Sequence, residues 1–246
     1  GAGVHMLVLR RRDPEAALKP RLRPTGVGRN LVKDLLRVGW PAAADMLVLN
    51  AAFLSIIGML ARIDQDAVAA HGIGLRVQAL AFVPGLAISQ AVGAMVGNAL
   101  GAERIAEARK VLRAGILLCG IIMTTLGLLI VWQAAAIVSL FGLGEGSAVS
   151  GYAVEWMELL GYAMPFVGVY IAHGGLLSGS GATLTSLRIN GVVTLLQIPA
   201  SYLLGFTFGL GTWGIWAAFP MSFGIKLVWG VLEVRRGAWA KTGMRA

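Results

Sequence analysis

The chain has little cysteine, little histidine and few acidic residues, so it offers few side chains for disulfides, metal sites or catalysis. Cys119 is the single cysteine among 246 residues, so the chain cannot build a disulfide framework or a cysteine metal cluster. The sequence contains no zinc-ligand spacing, no glycine-rich phosphate loop and no serine or cysteine triad. It therefore predicts neither an enzyme nor a protein that holds a metal or an organic cofactor.

Charge is also missing from long stretches of the chain. Residues 114–144 contain no charged side chain, and hydrophobic residues make up 57% of the whole. A membrane-spanning helix needs roughly 20 mostly apolar residues, and six segments are long enough. We expect these spans at about residues 38–61, 66–100, 114–142, 149–178, 184–208 and 213–235. The predicted fold class is an all-α integral membrane protein in a lipid bilayer, with spans five and six divided at the glycines of residues 209–212.

Positive charge is concentrated on alternate connections between these spans. Nine Lys and Arg residues precede the first span, four lie in residues 104–113, and four lie at the end of the last span and beyond it, from residue 235 onward. The third and fifth connections carry none. The positive-inside rule therefore predicts that both termini, including the tail 237–246, are cytoplasmic. The net charge of +9 is then explained by topology and anionic lipid, and nucleic acid is not an expected partner.

Two further patterns concern packing. Residues 102–113 place apolar side chains at helical spacing among charges, which predicts a short helix lying in the cytoplasmic interface. The second span carries a small residue at every fourth position, which favours close helix packing over a cavity-lining stripe. The residues of this stripe are Gly85, Ser89, Gly93, Gly97 and Gly101.

Polar side chains inside the spans are the candidates for a substrate or ion pathway, because burying them in lipid is costly. They are Asp45, Asn50, Arg76, Gln78, Glu155, Glu158, His173, Asn190 and Gln197. Asp45 either snorkels to the interface or takes part in cation coupling, and Asn50 is placed deeper on the same face. Arg76 is expected to face the bundle interior or an acidic partner, or else to line the substrate pathway.

The other candidates also have two interpretations each. Glu155 and Glu158 share a helix face, which predicts either interfacial solvation or an acidic vestibule. His173 is either a hydrogen-bonded structural residue or a group that titrates during transport. The amides of Gln78, Asn190 and Gln197 are expected to form hydrogen bonds between helices.

Several segments together resemble the multidrug and toxic compound extrusion (MATE) transporters. They are residues 68–77 (VAAHGIGLRV), 82–91 (FVPGLAISQA), 96–102 (VGNALGA), 176–183 (LLSGSGAT), 209–216 (GLGTWGIW) and 235–239 (RRGAW). The resemblance implies twelve helices in two six-helix lobes, of which this chain is similar to the second. Residues 1–37 then resemble the end of a preceding helix and the basic cytoplasmic linker between lobes.

The resemblance also implies a function and its partners. A transporter of this family exports lipophilic cations in exchange for H+ or Na+ through alternating access of two lobes, here in a bacterial inner membrane. The expected partner is the missing N-terminal lobe or a second half. Two positions depart from the family pattern. Ala182 stands where many members have an acidic residue, and Asp45, the one candidate carboxylate on the first span, lies nearer the cytoplasmic end than the cation-binding carboxylate of some members. The alternatives are a flippase-like exporter of lipids or other amphiphiles, and a membrane scaffold that transports nothing.

Overall fold

The computed structural model describes residues 29–144 and 146–242, which form eight α-helices and one π-helical turn. The helices are α1 (Arg29–Leu60), α2 (Gln65–Gly101), α3 (Ile105–Trp132), α4 (Ala134–Ser139), α5 (Ala148–Gly179), α6 (Thr183–Tyr202), α7 (Gly211–Arg236) and α8 (Ala238–Thr242). The π-helical turn, Leu203–Thr207, follows α6 directly. The chain divides into the units Gly1–Arg37 and Val38–Ala246, and the site lies within the second. Most of the predicted linker, residues 1–28, and the end of the tail, residues 243–246, lie outside the described residues.

The prediction of an all-α protein with six membrane-spanning helices is confirmed. Six helices are long and apolar enough to cross a bilayer. They are Gly39–Leu60, Gln65–Gly101, Ile105–Trp132, Ala148–Gly179, Thr183–Thr207 and Gly211–Arg236.

Short polar side chains and glycines determine where these helices begin and end. Asp64 caps α2 by accepting a hydrogen bond from the Asp66 amide, and Ser147 caps α5 through the Ser150 amide. Gly237 ends α7 in the left-handed conformation, with φ of 72°. Gly209 and Gly211 take φ of 70° and 61°, and they separate the fifth span from the sixth as left-handed residues do.

The structure corrects the prediction of a separate interfacial helix over residues 102–113. These residues lead into α3, which runs without a break from Ile105 to Trp132. No glycine or proline occurs between Ile105 and Ala114, so nothing interrupts the hydrogen-bond ladder where the charged face gives way to the apolar one. Helix α3 has 28 residues and a length of about 42 Å, and it ends ten residues earlier than the predicted third span.

Helix α5 is the central element of the bundle. It packs against α2, α3 and α7, and 67% of its most apolar 18-residue stretch is buried, compared with 22% for the corresponding stretches of α1 and α2. Its glycines allow this close contact: a Cβ at Gly161 would lie 2.7 Å from the carbonyl oxygen of Gly127 on α3. Close helix approach through small residues is the usual packing mode in membranes.

The stripe of small residues on α2 faces the same central helix over part of its length. Ser89 donates a hydrogen bond of 2.9 Å to the Ile171 carbonyl, and a Cβ at Gly93 or Gly97 would meet the α5 backbone at 3.2 Å. A Cβ at Gly85 would lie 3.0 Å from the sulfur of Met123 on α3. A Cβ at Gly101 would meet no atom within 4 Å, so the last position of the stripe lies beyond the contact.

Candidate functional site

A cavity of about 520 Å³ lies among five of the long helices. Each helix contributes side chains at helical spacing, so the lining is a set of stripes rather than a loop surface. The lining residues are Asp45, Leu49, Ala52, Phe53 and Ile56 from α1; His71, Leu75, Gln78, Ala79, Phe82 and Leu86 from α2; Trp156, Tyr170 and Ile171 from α5; Asn190, Thr194 and Gln197 from α6; and Ile215, Trp216, Phe219, Phe223 and Lys226 from α7.

A chain of hydrogen bonds joins three helices at one end of the cavity. The Tyr170 hydroxyl donates to Asn190 Oδ1 at 2.8 Å. The Asn190 amide nitrogen in turn donates to Asp45 Oδ2 at 3.0 Å. Asn190 therefore connects the phenol of α5 to the carboxylate of α1, and its amide orientation follows from these two bonds. The arrangement holds Asp45 at the cavity wall with its other oxygen free to accept.

Lys226 on α7 lies at the same end of the cavity. Its side chain is buried, with 4% of the residue exposed, and its ammonium is 4.7 Å from the centroid of the Phe223 ring. Lys226 and Asp45 attract each other electrostatically, although the two groups do not form a close ion pair. The polar end of the cavity thus holds one carboxylate and one ammonium.

Uncharged polar side chains extend the polar lining along the cavity. Thr194 and Gln197 follow Asn190 at intervals of four and three residues, so the three side chains form one stripe on α6. Gln78 on α2 is 8% exposed, and its Oε1 atom has no hydrogen-bond partner among the described residues. Buried amides normally find partners, so Gln78 is available to a ligand or to water in the cavity.

The other end of the cavity is aromatic. The His71 ring lies 5.2 Å from the Trp156 ring and 6.4 Å from the Trp216 ring, measured between centroids. The two indoles are 5.7 Å apart, and Phe219 packs edge-on against Trp156. Both ring nitrogens of His71 and both indole nitrogens lack hydrogen-bond partners within residues 29–144 and 146–242. This aromatic cluster can contact an apolar ligand over a large area.

A glycine makes room for the cluster. A Cβ at Gly74 would overlap the Trp156 indole, whereas a Cβ at neighbouring Gly72 would meet nothing within 4 Å. The indole of α5 therefore lies directly against the backbone of α2. Glycine is needed at position 74 because the indole leaves no space for a side chain. A special backbone conformation is not the reason, since residue 74 has ordinary helical geometry.

The two ends of the cavity are separated along the helix axes. Lys226 follows Trp216 by ten positions on α7, and Tyr170 follows Trp156 by fourteen positions on α5. These separations correspond to about 15 Å and about 21 Å along the helix axes. The cavity is therefore bipolar, with aromatic rings at one end and two opposite charges at the other. Such a shape suits an elongated amphiphile.

Four of the nine predicted pathway residues line this cavity: Asp45, Gln78, Asn190 and Gln197. The amides were expected to form hydrogen bonds between helices. Asn190 does so with both neighbours, whereas Gln78 leaves its oxygen unpaired. Asp45 was expected either at the interface or at a coupling site, and it lies on the cavity wall.

Two further candidates do not line this cavity. Asn50 is exposed and donates a hydrogen bond to the Met46 carbonyl on its own helix, instead of sharing the face of Asp45. Five residues correspond to a rotation of about 140° around a helix, which separates the two faces. Arg76 is exposed on the surface of the described chain, and it has no hydrogen bond or ion pair with any residue that the structure describes.

The three remaining candidates lie outside the cavity. Glu155 is half-buried and accepts a hydrogen bond of 3.2 Å from Thr212, whereas Glu158 is exposed, so the two carboxylates occupy different environments. His173 is 3% exposed, and its Nδ1 lies 2.7 Å from the Val169 carbonyl of its own helix. Within the described ranges, no three His, Cys, Asp or Glu side chains are grouped closely enough to hold a metal ion.

Four polar residues of the lining are not among those predicted from the sequence: His71, Tyr170, Thr194 and Lys226. Lys226 carried a signal, because it follows Phe219 and Phe223 at seven and three residues and so shares their helix face. Tyr170 precedes Asn190 by twenty residues across a connection, so their contact depends on how α5 and α6 turn back on each other. No local pattern predicts that pairing.

The chain is similar to known proteins over most of its length. The MatE family model matches residues 41–203. The multidrug resistance protein NorM of Burkholderia vietnamiensis is 31% identical over 228 residues, which is 87% of this chain and 46% of that protein. The probable multidrug resistance protein NorM of Thermotoga maritima is 25% identical over 242 residues, covering 98% of this chain and 51% of that protein.

The fold is also similar to a solved structure. A MOP superfamily transporter from Pyrococcus furiosus superposes with a TM-score of 0.85 at 20% identity, covering 97% of this chain and 54% of that one. The chain therefore spans about half the length of the relatives and structures that it matches.

Proposed function

Because the chain belongs to the MatE family of membrane transporters, a family without enzymes, we propose that it is half of a secondary antiporter. The antiporter exports lipophilic or cationic drugs and toxic compounds in exchange for H+ or Na+. Transport proceeds by alternating access, in which this six-helix lobe moves against a second lobe. The second lobe is either an N-terminal six-helix lobe or another half.

The observation that carries this proposal is the cavity, with a carboxylate at one end and aromatic rings at the other. Asp45 offers negative charge to a cation, and the cluster of His71, Trp156 and Trp216 offers apolar area to the rest of the compound. Drug-sized ligands bind in mostly apolar cavities in which a few polar groups determine their orientation. The volume of about 520 Å³ is within the range of such sites.

Asp45 also supports the exchange mechanism. A carboxylate that binds either a proton or metal cation, or the cationic end of a drug, but not both, makes the two ligands compete. Competition for one group couples their movements in opposite directions, because each ligand favours the state in which the other has left. Asn190 holds the carboxylate in place while its ligand changes.

The location follows from the same proposal. The chain is an integral membrane protein with six helical spans, and its relatives are bacterial NorM proteins. We place it in the bacterial inner membrane with both termini cytoplasmic, on the basis of the positive charges that flank α1, begin α3 and end α7. The polar end of the cavity is then nearer the cytoplasm.

A transport assay with the product of the complete reading frame tests the proposal. The protein is reconstituted in proteoliposomes, and uptake of ethidium is followed under an imposed pH gradient or, separately, a Na+ gradient. We expect gradient-dependent flux, and we expect Asp45→Asn to reduce it at least tenfold. Glu158→Gln is the matched control, since it neutralises an exposed carboxylate outside the cavity.

Absence of flux under both gradients from a well-folded protein would contradict the proposal and favour a membrane scaffold. Equal loss of flux in Asp45→Asn and Glu158→Gln would remove Asp45 from the mechanism. A scaffold has no need of a bipolar cavity or a buried carboxylate. The cavity is therefore the reason to prefer a transporter.

A further inference from the structure

We propose that Lys226 is an anion-binding residue, and that the cavity selects amphiphiles that carry an acidic group beside a cationic one. This inference rests on the proposed function, because it takes the cavity as the transport site. It adds a second charge to the recognition that Asp45 supplies. The evidence is the burial of Lys226, its unmet hydrogen bonds and its position relative to Asp45.

Lys226 is deeply buried for a charged residue in a membrane helix. It is 4% exposed, and it precedes Arg236, the last residue of α7, by ten positions or about 15 Å. Lysines near helix ends usually extend toward water, where the ammonium is hydrated. Lys226 instead keeps its side chain against the cavity, where an unpaired ammonium is costly.

The ammonium has room for a partner. Its neighbour is the Phe223 ring at 4.7 Å, and an aromatic face attracts a cation but accepts no conventional hydrogen bond. Across the part of the chain that the structure describes, no oxygen accepts a hydrogen bond from Lys226. The three N–H donors therefore remain available on the wall of the cavity.

Asp45 does not fill this role. The two groups attract each other but are too far apart to form an ion pair, and Asp45 already accepts a hydrogen bond from Asn190. Two opposite charges thus face one cavity with space between them. A plain cation can pair with Asp45 but is repelled by Lys226, whereas a ligand with both charges can pair with each.

The aromatic end determines the rest of the ligand. Trp216 lies about 15 Å from Lys226 along α7, and His71 and Trp156 complete the apolar end. A ligand with a flat or elongated apolar body and two charges at one end therefore fits the distribution of lining groups. A neutral lipid or a small inorganic anion does not use both ends.

A pair of dyes separates this inference from simple cation binding. The probes are a cationic xanthene dye with a free benzoate and its methyl ester, which share one chromophore and differ in the acidic group. Binding is measured by fluorescence anisotropy with the purified protein in lipid nanodiscs, and empty nanodiscs correct for partition into lipid. Quenching of tryptophan fluorescence, lost in part in Trp216→Phe, places the dye in the cavity.

Lys226→Met is expected to weaken binding of the free acid at least tenfold and to leave the ester unchanged or tighter. Methionine keeps the length and apolar contacts of the side chain but has no charge. Lys226→Arg is expected to retain the preference for the acid. Lys110→Met, which removes an exposed lysine on α3, is expected to leave the binding of both dyes unchanged.

The ratio of the wild-type protein's affinities for the free acid and for the ester tests the inference even where a variant does not fold. Equal or tighter binding of the ester by the wild-type protein would overturn the inference, as would equal weakening of both dyes in Lys226→Met. These assays measure binding, so they are independent of the flux that tests the antiporter proposal. A preference for the acid without gradient-driven flux would refute the antiporter and leave Lys226 as an anion site.

Discussion

Single residues give the cavity its shape as well as its charge, and Gly74 shows this most directly. Any side chain at this position would overlap the Trp156 indole, because α2 and α5 are in contact there. Trp156 in turn contacts His71, Trp216 and Phe219. One hydrogen atom in place of a methyl group therefore allows the whole aromatic cluster to form.

Gly74→Ala is expected to displace the Trp156 ring and to disrupt the aromatic end of the cavity. Overpacking of this kind costs about 1–3 kcal/mol of unfolding free energy. We expect a shifted tryptophan emission spectrum and at least tenfold weaker binding of the ester dye. Gly72→Ala is the control, because its added methyl group meets no atom within 4 Å. Equal effects of the two substitutions would contradict this account.

The charged and amide residues show how far sequence reasoning reaches at this scale. Asp45, Gln78, Asn190 and Gln197 were identified because a polar side chain in an apolar run is conspicuous, and all four line the cavity. The position of a polar residue within an apolar run does not say toward which neighbours its side chain points. Asn50 and Arg76 are polar residues in apolar runs as well, yet both are exposed in the described chain and neither lines the cavity.

Among the elements, α5 determines how the helices are arranged. Its glycines lie against backbone atoms of α2 and α3, and this contact positions Trp156 and Tyr170 along the cavity. At Gly175 an added Cβ would overlap the Ser89 carbonyl, whereas at the adjacent Gly174 it would meet nothing within 4 Å. Two neighbouring glycines therefore have different roles, one in packing and one without a steric constraint.

Gly175→Ala is expected to destabilise the bundle by about 1–3 kcal/mol, because the clash is with backbone that cannot rotate away. Gly174→Ala is expected to be neutral or slightly stabilising, since alanine is the better helix former. The midpoint of thermal unfolding in detergent measures both. A lower midpoint for Gly174→Ala than for Gly175→Ala would refute the assigned contact.

The elements themselves were largely predictable, because hydropathy and length identify spans. Six spans are predicted, and the described residues contain six. The exception was the segment before Ala114, where an amphipathic pattern predicted an interfacial helix. The same pattern also fits the protruding first turns of a long span, and only the backbone shows that Ile105–Trp132 is continuous.

At the scale of the whole molecule, the described residues contain six candidate spans and one buried cysteine. One of these spans, α3, separates the connection at Ala102 from the connection at Gly144, so the two connections lie on opposite sides of a bilayer that α3 crosses. Cys119 is 0% exposed, so it gives little background to thiol reagents. The proposed orientation can therefore be tested by introduced cysteines.

Gly144→Cys is expected to react with a membrane-impermeant maleimide added outside intact cells, and Ala102→Cys is expected to react only after the membrane is opened. Both positions are exposed, so a difference in labelling reports sidedness rather than burial. The wild-type chain is the control for Cys119. The reverse pattern would place the termini outside and would overturn the assignment made from positive charge.

The π-helical turn after α6 has a consequence for insertions and deletions. In Leu203–Thr207 the Phe208 amide donates to the Leu203 carbonyl, so this turn holds one residue more than an α-helical turn. Removal of one residue here converts the wide turn to an ordinary one and leaves the flanking segments in place. The same deletion inside α5 would rotate every later side chain by about 100°. Length variation among related chains should therefore be found at residues 203–207 and not in the central helix.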